Sequence, residues 1–225
     1  MSAPAARDMR APAKAWDARA RRLFFRRLAR AWPDPKSELA YTNPYTLLVA
    51  VILSAQATDK GVNKATAALF PRADTPQKML ALGEAALRRQ IQTIGLYRNK
   101  ARHVVTMSRQ LLQQFGGEVP RTRSELMQLA GVGRKTANVV LNIAFGQETF
   151  AVDTHIFRLG NRTQLAPGKT VEDVEAALER DVPPPYRQRA HHLLILHGRY
   201  VCRARQPRCG ACQVSELCLY EAKNL

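Results

Sequence analysis

The chain has 225 residues, 46% of them hydrophobic, enough to build one large or two small cores. Its 35 Lys and Arg against 18 Asp and Glu give a net charge of +17, which suits a polyanion partner, nucleic acid first. No apolar run reaches bilayer length, since Leu47–Ala57 is too short, and the N-terminus lacks a secretory signal's apolar centre, so neither membrane insertion nor secretion is expected.

Residues 1–13 are rich in Ala, Pro and Arg without periodicity, and disorder is expected there. A basic helix is expected from Trp16 to Trp32, with Leu23, Phe24, Leu28 and Trp32 on one side and arginines over the rest. Asn43-Pro44 is a cap followed by proline at the first helical position, and the helix it starts is apolar nearly all round, hence central. That helix runs out in the small, polar stretch Ser54–Asp59, where Asp59 is expected to cap the next helix, through Leu69. Thr75-Pro76 repeats the cap, Gly83 and Gly95 punctuate two short helices, and Leu96–Phe115 makes a longer one closed by Gly116-Gly117. No segment alternates with a period of two, so the chain reads as all-α.

The most informative stretch follows. Thr122-Arg123-Ser124-Glu125 has the form of a capping box whose helix would end near Leu129. Ala137, Val140, Leu141 and Ala144 recur at helical spacing until Gly146. Between them, Gly131-Val132-Gly133-Arg134 reads as a tight hairpin. Both glycines are expected to permit positive φ and to bare backbone N–H groups for a phosphate at the second helix's N-terminus. Neither a Walker A loop nor a dinucleotide fingerprint fits. Arg134 precedes Lys135-Thr136, and Thr136 stands where a third glycine is needed. Lys135 lies on the first helical turn, where the macrodipole and Arg134 disfavour its charge and so favour the neutral, nucleophilic amine. The plainer alternative is a lysine that only binds phosphate. Asp153, on the next element in the apolar setting of Ala151-Val152, favours an amine nucleophile with an acidic partner. Helices are then expected from about Thr154, Thr170 and Tyr186, the last ending near Leu196.

All four cysteines lie near the C-terminus, with six residues between Cys202 and Cys209, two before Cys212 and five before Cys218. Such clustering favours a metal centre over disulfides. A single Cys-x-x-Cys is poor for a zinc module, which usually has two, whereas four thiolates suit a [4Fe–4S] cluster.

Taken together, Leu129–Thr136, Val152–His155 and the cysteine tail strongly resemble the endonuclease III family of bifunctional DNA glycosylases with AP-lyase activity, in the helix-hairpin-helix superfamily. Leu53–Asp59, Thr93–Tyr97 and His197–Tyr200 extend the likeness over roughly Tyr41 to Tyr220. Ala130 departs from it, standing where the family usually has proline. The resemblance implies a six-helix barrel over 36–147 and a discontinuous helical domain carrying a [4Fe–4S] cluster. That second domain would combine a helix in 14–35 with residues 148–225. It implies that a monomer excises oxidised pyrimidines from duplex DNA in a bacterial-type cytoplasm, close to the nucleoid. An organelle-targeting role for the N-terminus is the lesser alternative. By the same resemblance Lys135 and Asp153 are catalytic, and Cys202, Cys209, Cys212 and Cys218 hold the cluster. Gln56 and Leu96 would fill or wedge the opened duplex, and Gly131, Val132, Gly133 and Arg134 would grip backbone. His155 would line the site or contact DNA, although a structural hydrogen bond is the commoner role for an isolated histidine. Arg203, Arg205 and Arg208 in the cluster loop would meet phosphates. Three rivals remain: a monofunctional glycosylase, which would lack the lysine; a non-enzymatic hairpin module, which would not need Asp153; and a helix-turn-helix regulator.

Overall fold

A computed structural model of the chain describes residues 16–225. The arm expected to be disordered, 1–13, lies outside them. Among the described residues the regular structure is entirely helical.

Helix α1 (Ala18–Ala31) starts at Asp17, whose side chain accepts from Ala20 N–H, and buries Phe24, Phe25 and Leu28. Its other arginines divide into two groups. Arg21 pairs with Asp181 and Arg27 with Glu216, while Arg19, Arg22, Arg26 and Arg30 are exposed. Helix α2 (Pro44–Ser54) begins at a full capping box: Asn43 accepts from Thr46 N–H, and the Thr46 hydroxyl accepts from Asn43 N–H. All nine residues from Tyr45 to Leu53 are buried, which makes α2 the axis of the first core.

Around α2 pack α3 (Asp59–Thr66), α4 (Pro76–Leu82), α5 (Glu84–Gln90), α6 (Tyr97–Gln114), the single-turn α7 (Arg123–Leu126) and α8 (Arg134–Phe145). Two expected caps differ. Thr58, not Asp59, caps α3, because its hydroxyl accepts from Gly61 N–H and Asp59 becomes the first helical residue. Thr122 does cap α7 by accepting from Glu125 N–H, but α7 is one turn long and stops at Leu126, short of Leu129. The Glu125 carboxylate meets the Thr122 hydroxyl instead of the cap's backbone N–H.

The remaining helices are α9 (Thr154–Thr163), α10 (Val171–Asp181) and α11 (Arg187–Tyr200), the last extending a turn beyond Leu196. A second core joins Phe24, Phe25 and Leu28 of α1 to Phe150, Ile156, Leu159, Leu178, Leu193, Leu194 and Val214. Chain start and chain end therefore share one apolar cluster, while residues from Leu39 to Leu141 form the other. At about 25 cal/mol per Å² of apolar surface, clusters of this size are the main stabilising term for each half. The groove between α2, α8, α11 and the start of α9 holds Lys135 and Asp153.

Candidate active site and nucleic-acid interface

Lys135 and Asp153 line one cavity of about 250 Å³, shared with Ser54, Gln56, Asp59, His191, His192 and Arg199. That volume falls just below the range of ordinary ligand pockets. The two side chains line one cavity because both sit at helix N-termini beside it. Lys135 is the second residue of α8, and Asp153 is the residue that starts α9. Gly198 lets α11 close against α9, since a Cβ there would lie 3.0 Å from both His155 Cβ and His155 O. The same packing brings His191, His192 and Arg199 into the cavity wall.

Asp153 has a second task. Its Oδ1 accepts from His155 N–H at 2.8 Å and from Ile156 N–H at 2.9 Å. One oxygen is thus committed to the helix, which fixes the plane of the carboxylate beside the cavity. Ala151 and Val152, just before it, are buried, as their apolar character suggests.

Sequence reasoning missed much of the wall. Arg199 donates to Asp59 Oδ2 at 2.9 Å and also pairs with Glu38, which accepts in addition from the Tyr200 hydroxyl. This chain of polar groups joins residues 140 or more positions apart, so no local pattern announces it. His191 is 2% exposed, and its Nδ1 accepts from Ala151 N–H at 3.4 Å, which leaves the ring proton on Nε2. Burial first, then His192 and Lys135, push its pKa down to about 3. Burial lowers His192 as well. The imidazole beside the amine is therefore neutral at physiological pH.

Gln56 and Leu96 are exposed and occupy left-handed backbone, with φ of 54° and 60°. Gln56 lines the cavity, while Leu96 stands outside it at the start of α6. Non-glycine residues with such φ are uncommon and concentrate at functional sites. The two loops are neighbours, since a Cβ on Gly95 would lie 4.0 Å from Gln56 O.

The glycine hairpin departs from expectation at Val132, Gly133 and Arg134. Gly131 has φ +80°, and a Cβ there would come within 2.9 Å of His103 Cβ, so both backbone and space demand glycine. Gly133 does not, because its φ is −95° and ψ 177°, extended backbone that caps α8. Val132 is buried, and its N–H donates to Leu129 O, so its side chain is core rather than contact surface. Arg134 turns away from the hairpin and forks onto Glu175, with Nη2 2.8 Å from Oε1 and Nε 3.0 Å from Oε2. That carboxylate raises the Arg134 pKa above its ordinary value. A neutralised Arg134 is a weaker phosphate ligand than expected and adds little positive field at Lys135.

His155 is likewise not in the cavity wall. Its Nδ1 lies 3.3 Å from Arg158 Nη2, the same guanidinium that donates to Gly198 O and Cys202 O. Its contact stays within α9, and it is Arg158 that ties α9 to α11 and the cysteine loop. Arg203, Arg205 and Arg208 are all exposed on that loop. Arg162 holds the loop's shape by donating to Arg203 O and Ala204 O, each at 2.6 Å.

Cys202, Cys209, Cys212 and Cys218 line a second, smaller cavity, and none forms a disulfide. Among the described residues no three His, Cys, Asp or Glu side chains close on a single metal-ion position. The sulfurs are instead spread over the walls of one space. His197 Nε2 lies 3.6 Å from Cys212 Sγ, and Arg162 Nη1 lies 3.8 Å from Cys202 Sγ. Burial pushes the Cys212 and Cys218 thiols up, against backbone hydrogen bonds from Val214 and Tyr220 that favour the thiolates. Four half-buried soft donors served by N–H groups fit a thiolate-ligated metal centre.

With this geometry in view, the comparisons with known proteins agree. Residues 49–184 match the HhH-GPD superfamily of base excision DNA repair proteins. Endonuclease III of Escherichia coli (strain K12) is 56% identical over 206 residues, covering 91% of this chain and 98% of that protein. Endonuclease III of Haemophilus influenzae is 57% identical over 197 residues, covering 88% and 93%. Among solved structures, a trapped endonuclease III–DNA covalent intermediate superposes with a TM-score of 0.84 at 42% identity, covering 91% of this chain and 97% of that one. The chain belongs to the endonuclease III family of base-excision DNA glycosylases with AP-lyase activity.

Proposed function

We propose that Lys135 is the nucleophile and Asp153 its carboxylate partner in removing oxidised pyrimidines from duplex DNA. The observation that carries the reading is their shared cavity at two helix N-termini. A damaged base must leave the stack to reach that cavity, and a weakly paired lesion costs least to extrude. Gln56 at the cavity and Leu96 on the neighbouring loop, both exposed on left-handed backbone, are suited to occupy the gap it leaves.

The neutral Lys135 amine attacks C1′. The glycosidic bond breaks, and its electron pair departs with the base. Asp153, with one oxygen engaged by α9, offers the other to take the proton lost by the amine and to stabilise positive charge on the sugar. The nitrogen lone pair then expels O4′, which takes a proton as the sugar ring opens, and the resulting Schiff base acidifies the C2′ proton. Its removal drives β-elimination, in which the C3′–O bond breaks and the 3′ phosphate leaves with the electron pair. Lys135 is what separates this course from hydrolysis by a monofunctional enzyme.

The four cysteines would hold a [4Fe–4S] cluster, supported by their donor type, their spacing and family membership. Such a cluster supplies a rigid core for the loop that carries Arg203, Arg205 and Arg208, and these arginines would meet the phosphates of damaged duplex. The test is a panel of duplexes bearing thymine glycol, a bare abasic site or no lesion. Cleavage of the first two, leaving an unsaturated 3′ sugar aldehyde, is expected. Base release with no strand cleavage would contradict the lysine mechanism.

A further inference from the structure

Glu175 is 4% exposed, and a buried carboxylate must find partners to offset its lost hydration. Its partners all bear on the catalytic elements. Arg134, the first residue of α8, delivers two nitrogens to it. Asn138, one helical turn later, donates from Nδ2 to Oε1 at 3.0 Å. The same Nδ2 also donates to Phe150 O at 2.8 Å, three residues before Asp153, and the Thr149 hydroxyl donates to Asn138 O at 2.7 Å. Arg123 of α7 approaches Oε1 at 3.6 Å, which brings in the helix before the hairpin.

Residues i and i+4 of a helix share a face, so Arg134 and Asn138 grip α10 together. Lys135, Thr136, Val139 and Ile143 form the neighbouring face, and all four line the active cavity. Glu175 therefore fastens α8 on one side while leaving Lys135 free on the next. Through Asn138 it ties that helix to the segment carrying Asp153. We propose that Glu175 is a positioning residue that sets Lys135 relative to Asp153 through the Arg134–Glu175–Asn138–Phe150 network. This rests on the reading of Lys135 as the nucleophile. Misplacement of a catalytic group by about 1 Å can cost about a hundredfold in rate, so a clamp on the first turn of α8 is a lever on chemistry.

The experiment compares Glu175→Gln with the parent on an abasic duplex, measuring Kd and the single-turnover rate of borohydride-trapped adduct separately. Glutamine keeps the shape and one acceptor oxygen but cannot hold the fork and Asn138 as a charged partner. The expected result is a single-turnover rate lower by about tenfold to a hundredfold, with Kd within about twofold of the parent. Arg134→Lys, which keeps charge but loses the fork and lies at the half-exposed end, is expected to fall between them. It also serves if the glutamine variant does not fold. A variant with unchanged trapping rate, or with Kd weakened and the rate intact, would overturn the proposal. Adduct formation by the parent tests the nucleophile itself, so a parent that forms none refutes the underlying reading instead.

Discussion

Asp153 Oδ1 accepts the backbone N–H of Ile156 at 2.9 Å, so the side chain assigned to the reaction is also the one that starts α9. Removing it combines two losses that a suitable substitution can separate. Asparagine caps helices as well as aspartate does, whereas alanine costs about 1 kcal/mol at such a position. Asp153→Asn is therefore expected to unfold within a few tenths of a kcal/mol of the parent yet lose base excision, and Asp153→Ala to lose both. Denaturant melts beside single-turnover assays on a thymine glycol duplex check this. Asparagine with full activity would remove Asp153 from the chemistry.

The two hairpin glycines should respond differently. Gly131→Ala meets both a left-handed φ and a 2.9 Å contact with His103 Cβ, and a loss of roughly 2 kcal/mol or more is expected. Adding His103→Ala leaves that close Cβ contact in place, so the double variant should recover little. Gly133→Ser has extended backbone and open space, and serine is the better cap, so stability should hold or rise. If a DNA phosphate docks at the N-terminus of α8, the new side chain would crowd it, and Kd for duplex DNA should weaken. Equal destabilisation of both variants in urea titrations would contradict the assigned backbone.

His191 makes stability depend on pH. It is held neutral in the fold down to about pH 3, whereas the unfolded chain protonates it near 6.5. Between those values the unfolded state binds the extra proton, so stability falls as pH falls, by at most about 1.4 kcal/mol per pH unit for this one group. Denaturant midpoints measured from pH 7 to pH 4 carry this contribution together with those of His192 and His197, which burial also lowers, and His191→Asn should reduce the slope by close to one proton. An unchanged slope would mean that the imidazole is not buried neutral.

Arg205 is exposed on the cysteine loop with no ion-pair partner among the described residues. If it meets a phosphate, Arg205→Ala should weaken duplex binding for every sequence and reduce the slope of log K against log salt by about 1. Arg134→Ala, whose guanidinium is already committed to Glu175, should change that slope far less. Fluorescence anisotropy over a salt series distinguishes the two.

The helices were readable because their signals are local. Asn43, Thr75, Thr122 and Thr170 each cap with their own side chain, and the all-apolar stretch of α2 marks the centre of a core. That Lys135 and Asp153 share one cavity is legible because hairpin and helix start form a compact motif. The pairing of Asp59 and Glu38 with Arg199 is not, since it closes over 140 residues or more, and in sequence Asp59 reads only as a cap and Arg199 only as part of a family motif. Arg134 misled for the same reason. Its place beside two glycines suggests a phosphate ligand, and only the fold brings Glu175, 41 positions on, against it. Gly133 misled because adjacent glycines look alike in sequence, while backbone torsion separates them.

The most direct measurement is covalent trapping on an abasic duplex with borohydride, which reduces an imine to a stable amine. The wild-type chain is expected to yield a protein–DNA adduct whose modified residue is Lys135. Lys135→Ala should bind the same duplex and yield none. A normal adduct from that variant, attached at another amine, would contradict the account.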